Sequence, residues 1–411
     1  MINQAKTSKS ALVLAGGGIA GAVYEIGALR AIDDLLSSHS VNDFDVYVGT
    51  SAGSLIGACL ASGVSARELL RITEGALPDA QRLQRNQILA PNLRGAFKRG
   101  RRLPRLLLQR TLDAVRHPRA FDPLDWAWQM LEGLPNGLYS TSSFERYLRR
   151  FLEQRGANSF AALQRELYIV ATALDTGERA VFGATPLQHV PISQAIAASS
   201  AMPIVYEPVR INGVDYIDGG VRGTASLDVA IDHGAKLIVC INPLVSFDNR
   251  DQKLGSRIAD VGIQAITNQV FRTFVHAGLH YHIKKLRHQH ADVDIILIEP
   301  RADDTLVFGE HILRYSTRLT LARHGYESAS LRLADQYAEY KAILNRHGIP
   351  ISRRRVAAEL ARLLEADDLA SVQTLLEGSS RPTPLTKPSK SWRTASLAHT
   401  LRDLETALDE M

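Results

Sequence analysis

At 411 residues, 45% hydrophobic and 22% charged, the chain is long enough for one large domain plus an appendage, and its composition excludes a disordered or fibrous protein. A formal net charge of +5 names no partner by itself. The two cysteines, Cys59 and Cys240, are too few for a disulfide framework or a zinc spacing, and both read as buried thiols in apolar stretches.

In chain order, the N-terminus lacks the charged-then-apolar pattern of a secretory signal. Residues 11–15 (ALVLA) form a short apolar run stopped by glycines, as in a buried parallel strand. Val23, Ile26, Leu29, Ile32 and Leu36 then recur at helical spacing. Residues 44–48 predict a strand, residues 52–61 a helix of small residues, and Ser65 with Glu68 a capping box opening another helix. Residues 46–66 carry no charge, but Gly49, Gly53, Gly57 and Gly63 break them. A strand–turn–helix fits them better than a membrane span. The protein is therefore expected to be cytoplasmic, with at most peripheral membrane contact. Residues 78–135 change character, being rich in Arg, Gln and Leu and broken by prolines.

Further on, a helix is predicted over 142–154, a strand over 167–174 and a short helix over 191–199. A hairpin over 209–217 turns at Asn212-Gly213. A helix over 227–233 is ended by Gly234, and strands follow over 236–241 and 293–298, joined by a long helical stretch over 251–290. Strand and helix alternate, so a central, mostly parallel sheet is expected. The domain plan places a catalytic α/β domain over 10–300 with residues 78–135 as a basic helical insertion. A helical C-terminal extension over 301–376 follows, and then a Pro/Ser linker and a terminal amphipathic helix over 377–411.

Gly49-Thr50-Ser51-Ala52-Gly53 is a G-x-S-x-G sequence set between a predicted strand and a predicted helix. A tight turn there lifts the Ser51 hydroxyl clear of the sheet, and the helix N-terminus favours its alkoxide. Read alone, the pentapeptide is also an ordinary Gly/Ser turn. Gly16-Gly17-Gly18 likewise follows a strand and opens a helix, presenting backbone N–H groups to an anion. Gly16, Gly18 and Gly21 fit the dinucleotide fingerprint, but that reading wants an acid closing the next strand. Here the next strand runs into Ser51, so an oxyanion hole at Gly16, Gly17 and Gly18 is the better reading. The third element, Asp218-Gly219-Gly220, places an acid at a strand end before two glycines; in isolation it is equally an Asp-Gly turn.

These three elements, in this order, resemble the patatin-like phospholipase family, and residues 195–203 (AIAASSAMP) resemble the segment preceding that family's aspartate. The resemblance covers roughly residues 10–300. It implies a three-layer α/β/α sandwich and a Ser-Asp dyad in which Ser51 attacks an ester and Asp218 accepts its proton. It further implies lipid acyl hydrolysis of the phospholipase A or lysophospholipase kind, passing through an acyl-serine and needing neither metal nor cofactor. A general esterase or thioesterase, or a weakly active binder of lipid or of a partner, is the alternative. The chain departs from the family at Ala20 and Ala197, where a basic residue is usual, and at Thr224 and Ser226, where Asn and Pro are frequent. Arg222 is the candidate for the missing cation.

Two further patterns concern partners. Between Arg94 and Arg119 nine Lys/Arg face one acid, Asp113, interleaved with leucines. Such a segment suits an anionic membrane surface or a lid, and equally a solvated packing helix; nucleic acid is not expected. His276, His280, His282, His288 and His290 lie within 15 residues, and His276 and His280 are spaced as two ligands on one helix face, but no carboxylate or cysteine is evidently arranged to complete a set. They are read as a polar, partly exposed face without a metal.

Overall fold

The computed structural model describes residues 8–74, 85–93, 97, 136–309 and 318–365. The basic segment expected as an insertion or lid lies almost entirely outside the described residues, as do the linker and terminal amphipathic helix.

The chain opens with β1 (Ser10–Leu14), α1 (Gly18–Leu35), β2 (Val46–Thr50), α2 (Ala52–Ala61) and α3 (Ala66–Glu74). Ser65 Oγ accepts the Glu68 N–H at 3.2 Å, which is the serine half of the expected capping box. Short elements follow: α4 (Arg85–Ile88), β3 (Ala90–Pro91) and β4 (Tyr139–Ser140). The pattern then resumes with α5 (Ser142–Glu153), β5 (Glu166–Ala173), β6 (Arg179–Phe182) and α6 (Ile192–Ser199). β7 (Val209–Ile211) and β8 (Val214–Asp218) make the expected hairpin, with Asn212 and Gly213 both at positive φ, as a tight primed turn requires. Then come α7 (Leu227–Asp232), β9 (Leu237–Ile241), α8 (Ile258–Val261), α9 (Ile263–Gln289), β10 (Asp294–Ile298), α10 (Thr305–Gly309), α11 (Arg318–Asp335), α12 (Tyr337–Arg346) and α13 (Arg354–Glu365).

One eight-stranded sheet runs in the order β10-β9-β1-β2-β5-β8-β7, with β6 also on β5. The first five strands of that order are parallel, and β6, β7 and β8 are antiparallel to their neighbours. Alternate side chains face two cores. Leu12, Leu14, Tyr47, Ile169 and Val239 face the helices α1, α2, α3, α5 and α6. Ala11, Val13, Val48, Val170 and Cys240 face α7 and α9. The result is the three-layer α/β/α sandwich. Among the described residues, no helix is long and apolar enough to cross a membrane.

The helical C-terminal region expected after residue 300 shares this core. Helix α1 is buried nearly all round because α11 covers the side turned away from the sheet. At Gly27 the backbones come so close that an added Cβ would lie 2.1 Å from the Ala322 carbonyl oxygen. Beside that contact Arg30 donates to both carboxylate oxygens of Asp34, at 3.2 and 3.0 Å, and the Tyr326 hydroxyl of α11 donates to Asp34 at 3.1 Å. Every member of this trio is buried, so its charges meet partners rather than empty space.

Candidate active site

Strand register brings the two distant motifs together. β2 runs parallel to β5 and ends with Thr50 opposite Val170. β8 runs antiparallel to β5 and ends with Asp218 opposite Ala171, one residue further on. Since β6 pairs with β5 across residues 169–172, the other edge of β5 is left to both. β2 and β8 therefore meet head to head, and the residues at their ends, Ser51 and Asp218, become neighbours.

Ser51 sits on the turn from β2 into α2 with φ 53°, a conformation that costs a non-glycine residue about 1–3 kcal/mol and is stable only where surroundings enforce it. Those surroundings are visible. The Ser51 N–H donates to Ser199 Oγ at 2.8 Å, and Ser199 in turn donates to the Val170 carbonyl at 2.6 Å. The Ser51 carbonyl accepts the Ser54 hydroxyl at 2.6 Å. Gly53 lets α2 press onto β1, since an added Cβ there would lie 2.3 Å from the Leu14 carbonyl oxygen. Gly49, on the strand side of the turn, packs as closely against Gly53.

The Ser51 hydroxyl donates to Asp218 Oδ2 at 2.5 Å, while Asp218 Oδ1 accepts the Gly220 N–H at 2.7 Å. Asp218 is 4% exposed, and burial pushes its carboxyl up to about 6, against the lowering effect of the hydrogen bonds from Ser51 and Gly220. It is therefore still mostly ionised at neutral pH and basic enough to take a proton. Gly219, directly after β8, lies so close to β5 that an added Cβ would stand 2.3 Å from the Val170 carbonyl oxygen.

The glycine loop after β1 lies alongside: an added Cβ at Gly16 would stand 3.2 Å from Ser51 Cβ. Gly16 donates its N–H to the Thr224 carbonyl at 3.0 Å, so that amide is committed within the fold. This leaves the Gly17 and Gly18 amides, at the N-terminus of α1, as the candidate anion donors, with the start of an eighteen-residue helix adding partial positive charge. Arg222 does not turn toward the dyad; its guanidinium donates to the Gly177 carbonyl at 2.7 Å.

From Ser51 and Asp218 a cavity of about 150 Å³ opens between α1, α2, α3 and α5. Ile26, Leu55, Leu69, Phe144 and Phe151 line it, and no histidine, lysine or arginine is among its described lining residues. Cys59 lines it too, but burial pushes that thiol up to about 12, so it stays an inert thiol. Sequence reasoning missed this cavity and the role of Ser199. The AIAASSAMP segment marked the right stretch, yet nothing in it showed which serine would hold the turn.

The family model for Patatin-like phospholipase matches residues 12–231, more than half of the chain. The uncharacterized protein YqhO of Bacillus subtilis (strain 168) is 25% identical over 224 residues, which cover 51% of this chain and 62% of that protein. The match thus spans less than two thirds of that relative. Among solved structures, VipD from Legionella pneumophila aligns with a TM-score of 0.34 and 15% identity over 90% of this chain and 84% of that one. The ExoU–SpcU complex of the Pseudomonas aeruginosa type III secretion system aligns at 0.25 and 16%, over 90% and 68%. These superpositions are too loose for a residue-by-residue comparison.

Proposed function

This chain belongs to the patatin-like phospholipase family, a family of lipid hydrolases, and from that membership we propose that it cleaves the carboxylic ester of an acyl lipid through Ser51 and Asp218. The observation that carries the reading is the 2.5 Å hydrogen bond from Ser51 to Asp218 at the mouth of an apolar cavity.

The steps follow from the groups in place. Asp218 Oδ2 takes the Ser51 proton as Oγ attacks the ester carbonyl carbon. Negative charge collects on the carbonyl oxygen, within reach of the Gly17 and Gly18 amides; one such donor is worth roughly 3–4 kcal/mol of barrier. The intermediate collapses, the C–O bond breaks, and the leaving alcohol takes the proton back from Asp218. Water, deprotonated by the same carboxylate, then attacks the acyl-Ser51 carbonyl; the C–Oγ bond breaks, Ser51 Oγ takes the proton back from Asp218, and the fatty acid leaves. Throughout, the acyl chain occupies the apolar cavity, where each buried methylene contributes about 0.8 kcal/mol. Departures at Ala20 and Ala197 leave the backbone donors untouched, because amides do not depend on side-chain identity.

Hydrolysis of a defined phospholipid and lysophospholipid panel, with Ser51→Ala as control, tests the proposal. The wild type should release fatty acid and take a fluorophosphonate label, and the variant should do neither. Equal rates in the two proteins would remove Ser51 from the reaction. A preference for short soluble esters over lipid vesicles would instead mark a general esterase. Residues 94–119 suit docking on anionic lipid by charge, and co-flotation with anionic but not zwitterionic vesicles is the expected result.

A further inference from the structure

The carboxylate that the histidine pair lacks in sequence is supplied by the sheet. Glu299 follows β10 at the carboxyl end of the parallel strands, 8% exposed, and α9 crosses beside it. His276 and His280, one turn apart on α9, direct Nε2 toward its two oxygens, at 3.6 Å from Oε1 and 2.9 Å from Oε2. One ligand atom from each of the three residues can be chosen so that all lie within 4.8 Å of one another. Two ligands of a tetrahedral Zn²⁺, each bonded at about 2.0–2.1 Å, stand about 3.3–3.4 Å apart, and the observed separations bracket that figure.

The surroundings have the form of support around a metal. His276 Nδ1 lies 2.9 Å from Ser246 Oγ, which fixes the ring and leaves Nε2 free to point at Glu299. Asn242, directly after β9, donates from Nδ2 to Glu299 Oε1 at 2.7 Å and so fixes the carboxylate. The side chain of His280 is half exposed, giving an ion a way in and room for water as a further ligand. Without a cation, two imidazoles converge on a single carboxylate. The two rings sit edge to face at 4.4 Å between centroids, and one dication could take a lone pair from each of the three residues.

We propose that His276, His280 and Glu299 form a binding site for a borderline transition-metal dication of the Zn²⁺ class. Imidazole nitrogen in two of three positions selects against Mg²⁺ and Ca²⁺, which favour all-oxygen sets. Bound there, the ion ties α9 to the ends of β9 and β10. Asn242, which holds Glu299, is followed by Pro243, whose ring packs against Gly17 and against Gly21 in the first turn of α1. No part of the proposed ester chemistry passes through the ion.

The test uses full-length, chelator-treated protein at about pH 7.5. Calorimetric titration with Zn²⁺ should show about one equivalent per chain. His280→Ala and Glu299→Gln should each weaken binding by more than about tenfold, and Ser246→Ala, which removes a supporting contact, by about 10–100-fold. Co²⁺ should give the visible d–d bands of a four-coordinate site in the wild type and not in His280→Ala. His280 is half exposed, so this variant should match wild-type unfolding in the absence of metal, which separates loss of binding from loss of fold. Zn²⁺ bound equally by wild type and His280→Ala, or by neither, would overturn the proposal, whatever the esterase activity of either protein.

Discussion

Replacing Asp218 by asparagine separates what it costs to bury a carboxylate here from what the carboxylate does. Burial lifts the Asp218 carboxyl from its ordinary 3.8 to about 6. That displacement corresponds to about 3 kcal/mol acting against the ionised form in the folded protein. The folded state holds the proton more tightly than the unfolded chain, so Asp218's contribution to stability is complete below pH 3.8. It is lost as pH rises, until the decline levels off above about 6. Asp218→Asn removes the titration while keeping both neighbours bonded: the amide oxygen accepts the Gly220 N–H, and the amide nitrogen donates to Ser51 Oγ. Relative to wild type, the variant should therefore gain up to about 3 kcal/mol between pH 4 and pH 7.5. Urea unfolding at several pH values measures this directly. At pH 7.5, where the wild-type base is ionised, hydrolysis of a p-nitrophenyl ester should fall by about 10²–10⁴-fold in the variant, because an amide accepts no proton. A stability difference that does not change with pH would refute the electrostatic reasoning, and activity within a few fold of wild type would refute the role of base.

Four further outcomes follow from the site and its packing. Wild-type kcat/KM should rise as pH passes about 6 and then level off, since the base must be ionised. Leu55→Trp, which fills the cavity beside Ser51, should lower kcat/KM for long-chain esters by about tenfold or more while sparing acetate esters, a shift read from a series of acyl lengths. Ser199→Ala leaves the buried Ser51 N–H without its acceptor and should cost about 1–3 kcal/mol in chemical denaturation, with a matching fall in kcat. Gly27→Ala should destabilise by about 1–3 kcal/mol or more by forcing α11 off α1, and unchanged unfolding would contradict the close approach there.

The parts of the site legible in the sequence were those written in local patterns. A strand–glycine–serine–helix run shows its turn, and Asn212-Gly213 shows its hairpin, because φ and ψ preferences act over a few residues. Ser51 and Asp218 lie 167 residues apart, and local patterning alone could not pair them. What pairs them is two strands sharing one edge of β5, a fact of register and not of composition. The cavity escaped notice for a similar reason, since its walls are single faces of four helices drawn from two distant parts of the chain. β6 is four residues long, too short for its alternation to stand out. Glu299 sits 19 residues beyond His280 and reaches it only because α9 folds back over β10. Gly16 shows the limit of a motif read as a unit: three glycines stand in the loop, and one spends its amide on Thr224.

The close seating of α11 on α1 sets the smallest piece of this protein worth expressing. α1 begins with the glycine loop and forms one wall of the cavity, yet its opposite side is roofed by residues some three hundred positions later. A fragment cut to the family-matched residues 12–231 would also lose β9 and β10. It would leave Tyr24, Gly27 and the Arg30–Asp34 pair facing water on a surface shaped for another helix. Such a fragment should aggregate or fold poorly, whereas one reaching at least Glu365 keeps the roof in place.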